Sequence, residues 1–191
     1  MEIRSFLAFE LPPEIRRIIC DLSGELKKSS LDVRWVTATN IHLTLVFMGK
    51  VHMEDLEPIN ETVANVCRRY RPFNLSLKGA GVFGGRRNPR VLWVGVDGDI
   101  KRMSYFRDAL QKRLRPFGIK EEKRKYKPHL TFGRFRKNTA LNVRLEELLL
   151  TYRTLTSPVG TIGELSLYKS DLRPGGAVYT RINAWPLKGN L

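Results

Sequence analysis

The sequence predicts an α+β fold built as two pseudo-symmetric lobes about a central cleft. Three observations carry this. Short apolar and β-branched runs alternate with amphipathic helical stretches. The series strand, helix, strand, helix, strand occurs twice along the chain. In each copy the middle strand holds a His-x-Thr-x tetrapeptide: His42-Leu43-Thr44-Leu45 and His129-Leu130-Thr131-Phe132.

The elements follow in order. Ser5 to Leu11 reads as a first strand. Pro12-Pro13 opens a helix, because proline suits a first helical turn. Ile15, Ile18, Ile19, Leu22 and Leu26 give that helix one apolar face. Val33 to Val36 is a short strand, and Ile41 to Met48 is the first motif strand, stopped by Gly49. A second helix spans about Glu54 to Tyr70 and breaks at Pro72. Phe73, Leu75 and Leu77 alternate with polar residues, so Pro72 to Lys78 reads as a strand. Gly79 to Gly85 reads as a glycine-rich loop, followed by Arg86, Arg87 and Arg90. Val91 to Asp97 is a strand, and Asp99 to Pro116 holds a helix with Met103, Phe106, Leu110 and Leu114 on its apolar side. The basic stretch Lys120 to Lys127 precedes the second motif strand, and Val143 to Leu150 is a short helix. Two strands, about Ile162 to Tyr168 and Ala177 to Ala184, close the chain.

The two copies are related by 129 − 42 = 87 residues. The same offset carries the first strand onto Leu92–Gly98 and the first helix onto Asp99–Pro116. Residues 1–191 therefore read as a single domain of two duplicated halves, about 1–85 and 86–191. Two copies of one unit pack about an approximate twofold axis, which sets equivalent strands face to face across a cleft. Alternation along a strand puts His42 and Thr44 on one face, and likewise His129 and Thr131.

Two imidazoles and two hydroxyls around one pocket suit displacement at phosphorus. One imidazole deprotonates the incoming oxygen and the other protonates the leaving oxygen. The hydroxyls donate to non-bridging oxygens as charge rearranges. Such chemistry needs no metal, and the carboxylate clusters that hard cations prefer are not evident in the sequence. His52, the third histidine, lacks a partner threonine and reads as a surface residue in a polar turn. The glycine-rich stretch has neither the Lys-Ser/Thr of a P-loop nor the flanks of a dinucleotide fingerprint, and reads as a connection forming one lip of the cleft.

Composition agrees. Lys and Arg number 34 against 19 Asp and Glu, a formal charge of +15, which favours polyanions such as nucleic acid or a phosphorylated ligand. No stretch approaches ~18 consecutive apolar residues, so no membrane span is expected. The start of the chain lacks the pattern of a signal peptide. Cys20 and Cys67 have no metal-type spacing and read as buried, reduced thiols, which fits a cytoplasmic location. Nothing signals an oligomer, and a monomer is expected.

The sequence resembles the 2H phosphoesterase superfamily, and within it the RNA 2′,3′-cyclic phosphodiesterases, historically called 2′-5′ RNA ligases. The two tetrapeptides look like that family's paired HxTx motifs. The likeness extends through FLAFELPPEI, RWV, IHLTLVFMG, PRVLWVGV, YKPHLTFGR and LSLYKSDL. It implies antiparallel sheets lining a V-shaped cleft, with helices packed outside. It implies that His129 is the base activating water against a terminal 2′,3′-cyclic phosphate, and His42 the acid protonating the departing 3′ oxygen. A 2′-phosphate would result, with Thr44 and Thr131 holding the phosphate. With a 5′-hydroxyl RNA end as nucleophile in place of water, the site would make a 2′-5′ linkage. The resemblance implies neither cofactor nor metal; the expected partners are RNA ends bearing the cyclic phosphate.

Beyond these four, Tyr126, Phe47 and Phe83 are candidates for stacking on a terminal base, with core packing as the alternative for the two phenylalanines. Arg90, Arg124, Lys127 and Arg134 are candidate phosphate contacts. Strand alternation puts Arg134 on the face opposite His129 unless a bulge intervenes. Two other functions fit the same residues: a phosphodiesterase for small cyclic nucleotide phosphates, or a non-catalytic RNA-binding module.

Overall fold

A computed structural model describes residues 1–84, 88–136, 143–174 and 176–191. Gly85, Arg86 and Arg87 of the glycine-rich region, and Gly175 before the last strand, lie outside the described residues. The strands are β1 (Glu2–Phe9), β2 (Val33–Trp35), β3 (Leu43–His52), β4 (Phe73–Phe83), β5 (Val91–Gly98), β6 (His129–Phe135), β7 (Gly160–Ile162), β8 (Glu164–Arg173) and β9 (Gly176–Pro186). The helices are α1 (Pro13–Lys27), α2 (Leu56–Cys67), α3 (Ile100–Leu114) and α4 (Val143–Thr151).

The helices form where the apolar period placed them. In α1, Pro13 occupies the first turn, where its missing N–H costs nothing, and Ile15, Ile19, Leu22 and Leu26 are buried. In α3, Met103, Phe106, Leu110 and Leu114 are buried, and so are Arg107 and Gln111 on the same side. Among the described residues, no helix is long and apolar enough to cross a membrane.

The strands join into one curled antiparallel sheet in the order β7-β4-β5-β6-β3-β1-β8-β9, with β2 added on β6. β1 pairs with β3 and β8, and β5 pairs with β6 and β4. One lobe is therefore β3-β1-β8-β9 and the other β7-β4-β5-β6. The lobes are not the two stretches of sequence: β4 crosses to join β5, and β8 returns to join β1. Where the lobes meet, β3 and β6 pair through Leu43 and Leu130. The motif strands thus meet edge to edge, and the cleft is the concave face of the curled sheet. Leu7, Leu43, Leu92 and Leu130 point away from it into a core shared with residues of all four helices.

β3, β4 and β8 outrun their expected ends, β8 by continuing past Tyr168 to Arg173. β3 continues through Gly49, whose φ of +72° absorbs an irregularity, as far as His52. His52 sits exposed at the strand end beside Glu2, at 3.5 Å. β4 continues through the glycine-rich stretch to Phe83, so most of that stretch is strand and not loop. Gly79 (φ +63°) takes up a bulge there, since β4 shifts register against β5 between Lys78 and Ala80.

Candidate active site

The Leu43–Leu130 pair fixes the four motif side chains. Continuing that antiparallel register one step each way sets His42 opposite Thr131 and Thr44 opposite His129. With both leucines turned into the core, all four polar side chains lie on the concave face. All four are half-buried.

The two imidazoles are held by the same local device. His42 Nδ1 lies 2.8 Å from the Asn40 carbonyl, and His129 Nδ1 lies 2.8 Å from the Lys127 carbonyl. A carbonyl only accepts, so each Nδ1 carries a proton and donates it. Each neutral ring therefore offers the lone pair of Nε2, and each charged ring offers an Nε2–H. Both rings can serve as base or acid at that nitrogen without turning over.

Burial pushes the pKa of both histidines below the ordinary imidazole value, with the carbonyl contact opposing the shift in each. His129 differs in one respect: the Arg134 guanidinium also disfavours its charged form. At His42 burial is what lowers the value.

That cation reaches His129 because of a bulge. β6 pairs Gly133 with Leu92 and Thr131 with Trp93, leaving Phe132 as an extra residue. The bulge returns Arg134 to the motif face. β3 does the same: Val46 pairs with Leu7 and Thr44 with Ala8, leaving Leu45 extra. Phe47 is thereby brought to the motif face, where it lies 6.3 Å from Phe6 and is 66% exposed. Phe47 and Arg134 thus occupy equivalent positions after the two motifs, one aromatic and one cationic.

Each histidine also has aromatic company. Phe6 stacks on His42 at 4.8 Å, Tyr179 meets the ring edge-on at 5.2 Å, and Tyr168 stacks on Phe6 at 5.3 Å. A cavity of about 130 Å³ opens beside His42, walled by Asn40, Tyr168, Tyr179 and Glu10. On the other side, Phe83 stands edge-on to His129 at 4.7 Å and packs on Trp93 at 5.3 Å. Sequence reasoning named Phe83 and missed Phe6, Trp93, Tyr168 and Tyr179. The signal was present, because the 87-residue offset carries Phe6 onto Trp93.

The remaining candidates are placed differently. Tyr126 donates its hydroxyl to the Thr44 carbonyl at 3.3 Å, and its ring lies 5.1 Å from the Arg107 guanidinium. That contact draws Tyr126 into the protein, and it packs against the core. Lys127 is exposed and contributes its carbonyl to His129. Arg124, also exposed, turns its guanidinium onto Glu122 at 3.2 Å. Arg90 is exposed, with its side chain beside Gly84 and its backbone tied to Phe83 and Phe135. Among the described residues, no three His, Cys, Asp or Glu side chains gather as they would around a metal.

Residues 11–174 match the family model described as the 2′-5′ RNA ligase superfamily. The chain belongs to that superfamily. A protein of Methanothermobacter thermautotrophicus named RNA 2′,3′-cyclic phosphodiesterase is 34% identical over 98% of this chain and all of its own length. Another so named, from Thermotoga maritima, is 29% identical over 99% of this chain and 98% of its own. Among solved structures, E. coli LigT complexed with 3′-AMP superposes with a TM-score of 0.76 at 25% identity, over 98% of this chain and 99% of that one. TT0787 of Thermus thermophilus shares the fold with a TM-score of 0.81 over 99% of this chain and all of its own, at 22% identity. This member of the 2′-5′ RNA ligase superfamily thus holds its two His-x-Thr pairs on the concave face of the superfamily's curled sheet.

Proposed function

We propose that the protein hydrolyses the terminal 2′,3′-cyclic phosphate of RNA to a 2′-phosphate, by acid–base catalysis that requires no metal. One observation carries this reading: both imidazoles donate Nδ1–H to the carbonyl two residues before them. Two Nε2 atoms are then left to transfer protons on one sheet face. Water gives a proton to His129 Nε2 as its oxygen bonds to phosphorus. The bond from phosphorus to O3′ breaks, and His42 Nε2–H protonates O3′. Thr44 and Thr131 donate to the non-bridging oxygens. The Arg134 cation supports the assignment of His129 as the base, because it favours the neutral ring. With a 5′-hydroxyl RNA end as nucleophile, the same transfers yield a 2′-5′ linkage. The names of the full-length relatives support the cyclic phosphate as substrate.

Phe47 and Phe83 fit as stacking surfaces for the terminal nucleoside, while Arg134 and Lys127 fit as contacts for phosphate. Both motifs come from one chain, which supports one domain of two repeated halves working as a monomer.

The decisive experiment uses an oligoribonucleotide ending in a 2′,3′-cyclic phosphate, with EDTA present and the product isomer resolved. A 2′-phosphate is expected. A 3′-phosphate product, or a strict need for a divalent ion, overturns the mechanism. His42→Ala and His129→Ala are each expected to lower the rate by about 10² or more. A non-catalytic RNA-binding module would instead show no turnover in the unsubstituted protein, with binding kept in the double histidine variant. The +15 charge favours an RNA end over a small cyclic nucleotide, and comparison of kcat/KM on the two tests that preference.

A further inference from the structure

Arg107 is a buried cation outside the motif pairs. It sits on the core side of α3 and is 7% exposed. Burying a guanidinium is costly unless its donors are engaged. It pairs with the Asp108 carboxylate, whose Oδ1 accepts from Nε at 3.0 Å and whose side chain is itself half exposed. The other donors go to main-chain carbonyls: Arg124 at 3.4 Å and 3.5 Å, and Glu122 at 3.4 Å. One turn on, the buried Gln111 side chain accepts from the Glu122 N–H at 2.7 Å. The segment they grip, residues 120–128, has no helix or strand of its own.

That segment serves both motifs. Lys127 supplies the carbonyl that orients His129. Tyr126, under the Arg107 guanidinium, donates to the Thr44 carbonyl in the opposite lobe. The His42 side is secured otherwise. Asn40, whose carbonyl orients His42, ties its own side chain to the Ala177 carbonyl at 3.0 Å. Lys127 has no such short amide to anchor it. The residue equivalent to Arg107 in α1 is Cys20, whose thiol is exposed and not buried as the sequence led one to expect.

We propose that Arg107 is a positioning residue: through Tyr126 and the carbonyls of Glu122 and Arg124, it holds the Lys127 carbonyl that orients His129. It also holds the Tyr126 ring where its hydroxyl reaches the Thr44 carbonyl. The catalytic part of this inference rests on the reaction proposed above; the orientation of the His129 ring does not.

The test compares Arg107→Met, Arg107→Lys and Tyr126→Phe with Arg102→Met. Arg102 is a useful control, because it too lies on α3 and donates to carbonyls, those of Arg71 and Pro72, away from the motifs. Imidazole ¹⁵N spectra report the tautomer and order of His129, and turnover of a cyclic-phosphate oligonucleotide gives kcat and KM separately. Arg107→Met is expected to mix the His129 tautomers and to lower kcat about 10- to 100-fold, with KM changed less than about threefold. Arg107→Lys should fall between, since an ammonium donates to carbonyls without the planar fork. Tyr126→Phe should lower kcat about three- to tenfold, and it decides the matter if Arg107→Met does not fold. Arg102→Met should lower Tm and leave both the His129 spectrum and kcat unchanged. Unaltered His129 signals in folded Arg107→Met overturn the proposal. So does unchanged kcat in Tyr126→Phe, or an equal fall in Arg102→Met. If the unsubstituted protein turns nothing over, the reaction is wrong and the spectra alone decide the role of Arg107.

Discussion

Leu43 and Leu130 face each other across the junction of β3 and β6, and neither exposes any surface. Each is the residue between a motif His and Thr, so their packing sets how far apart the pairs lie. Leu130→Ala removes apolar contacts where the lobes meet. The expected cost is about 2–5 kcal/mol of stability, read from urea unfolding. A fall in kcat larger than that for a core truncation remote from the junction, such as Ile59→Ala, is also expected. Equal activity in the two would mean that the junction does not set the spacing.

How far the site could be read from the sequence follows from the same junction. Alternation within a tetrapeptide is short-range, so His42 with Thr44 and His129 with Thr131 were legible as pairs. The 87-residue offset was legible too, because it carries the bounds of α1, Pro13 and Lys27, onto those of α3, Ile100 and Leu114. What lay beyond reach is long-range. Nothing local says that β4 leaves its own half to pair with β5. Nor does alternation survive a bulge, so Arg134 reads as facing away until Phe132 is seen to be the extra residue. Gly79 and Gly81 hide a strand, since they lack the side chains whose alternation would reveal it. The 120–128 segment looks like a solvated basic run, and only the structure shows Arg107 gripping its carbonyls.

Arg134→Gln should change the pH dependence in a definite direction. The guanidinium disfavours the imidazolium of His129, so removing it lets that pKa rise toward the ordinary value. A base works when neutral. The acidic limb of kcat/KM should therefore move to higher pH, while the limb set by His42 stays in place. The shift separates electrostatics from phosphate binding, which would appear as a higher KM at every pH. No movement of the acidic limb would remove His129 as the base.

The same depressed values link protonation to stability. The folded pKa of each motif histidine lies below its unfolded value, so the native state binds these protons less readily. Their contribution is present above the unfolded pKa of ~6.5 and is lost as pH falls through the folded values. The urea midpoint should drop over that window, and the drop should shrink in a His42→Gln, His129→Gln double variant. An undiminished drop would place its source in other groups.

Phe47 is the large exposed ring on the motif face. With 66% of its surface in solvent, its truncation costs little core packing. Phe47→Ala should leave Tm within a few degrees and weaken substrate binding by about 1–3 kcal/mol, as base–aromatic stacking does elsewhere. The loss should appear with a cyclic-phosphate oligonucleotide and vanish with a substrate lacking the terminal base. Equal losses on both would make Phe47 a packing residue for Phe6.

Gly81 tests how tightly the His129 side is packed. Trp93 pairs with Gly81 on β4 and with Thr131 on β6, and its ring lies over the glycine. A Cβ at Gly81 would come within 2.4 Å of that ring. The backbone there is ordinary, because Gly81 is not among the positive-φ glycines. Space alone therefore decides the outcome. Gly81→Ala must displace the indole, which packs on Phe83, the ring that stands edge-on to His129. The expected cost is about 1–3 kcal/mol of stability from overpacking. Turnover should fall as well, because the displacement reaches His129 through one intervening ring. Pairing the change with Trp93→Leu relieves the clash and should recover stability. Should the double variant be no more stable than Gly81→Ala alone, the indole is not what fills that space.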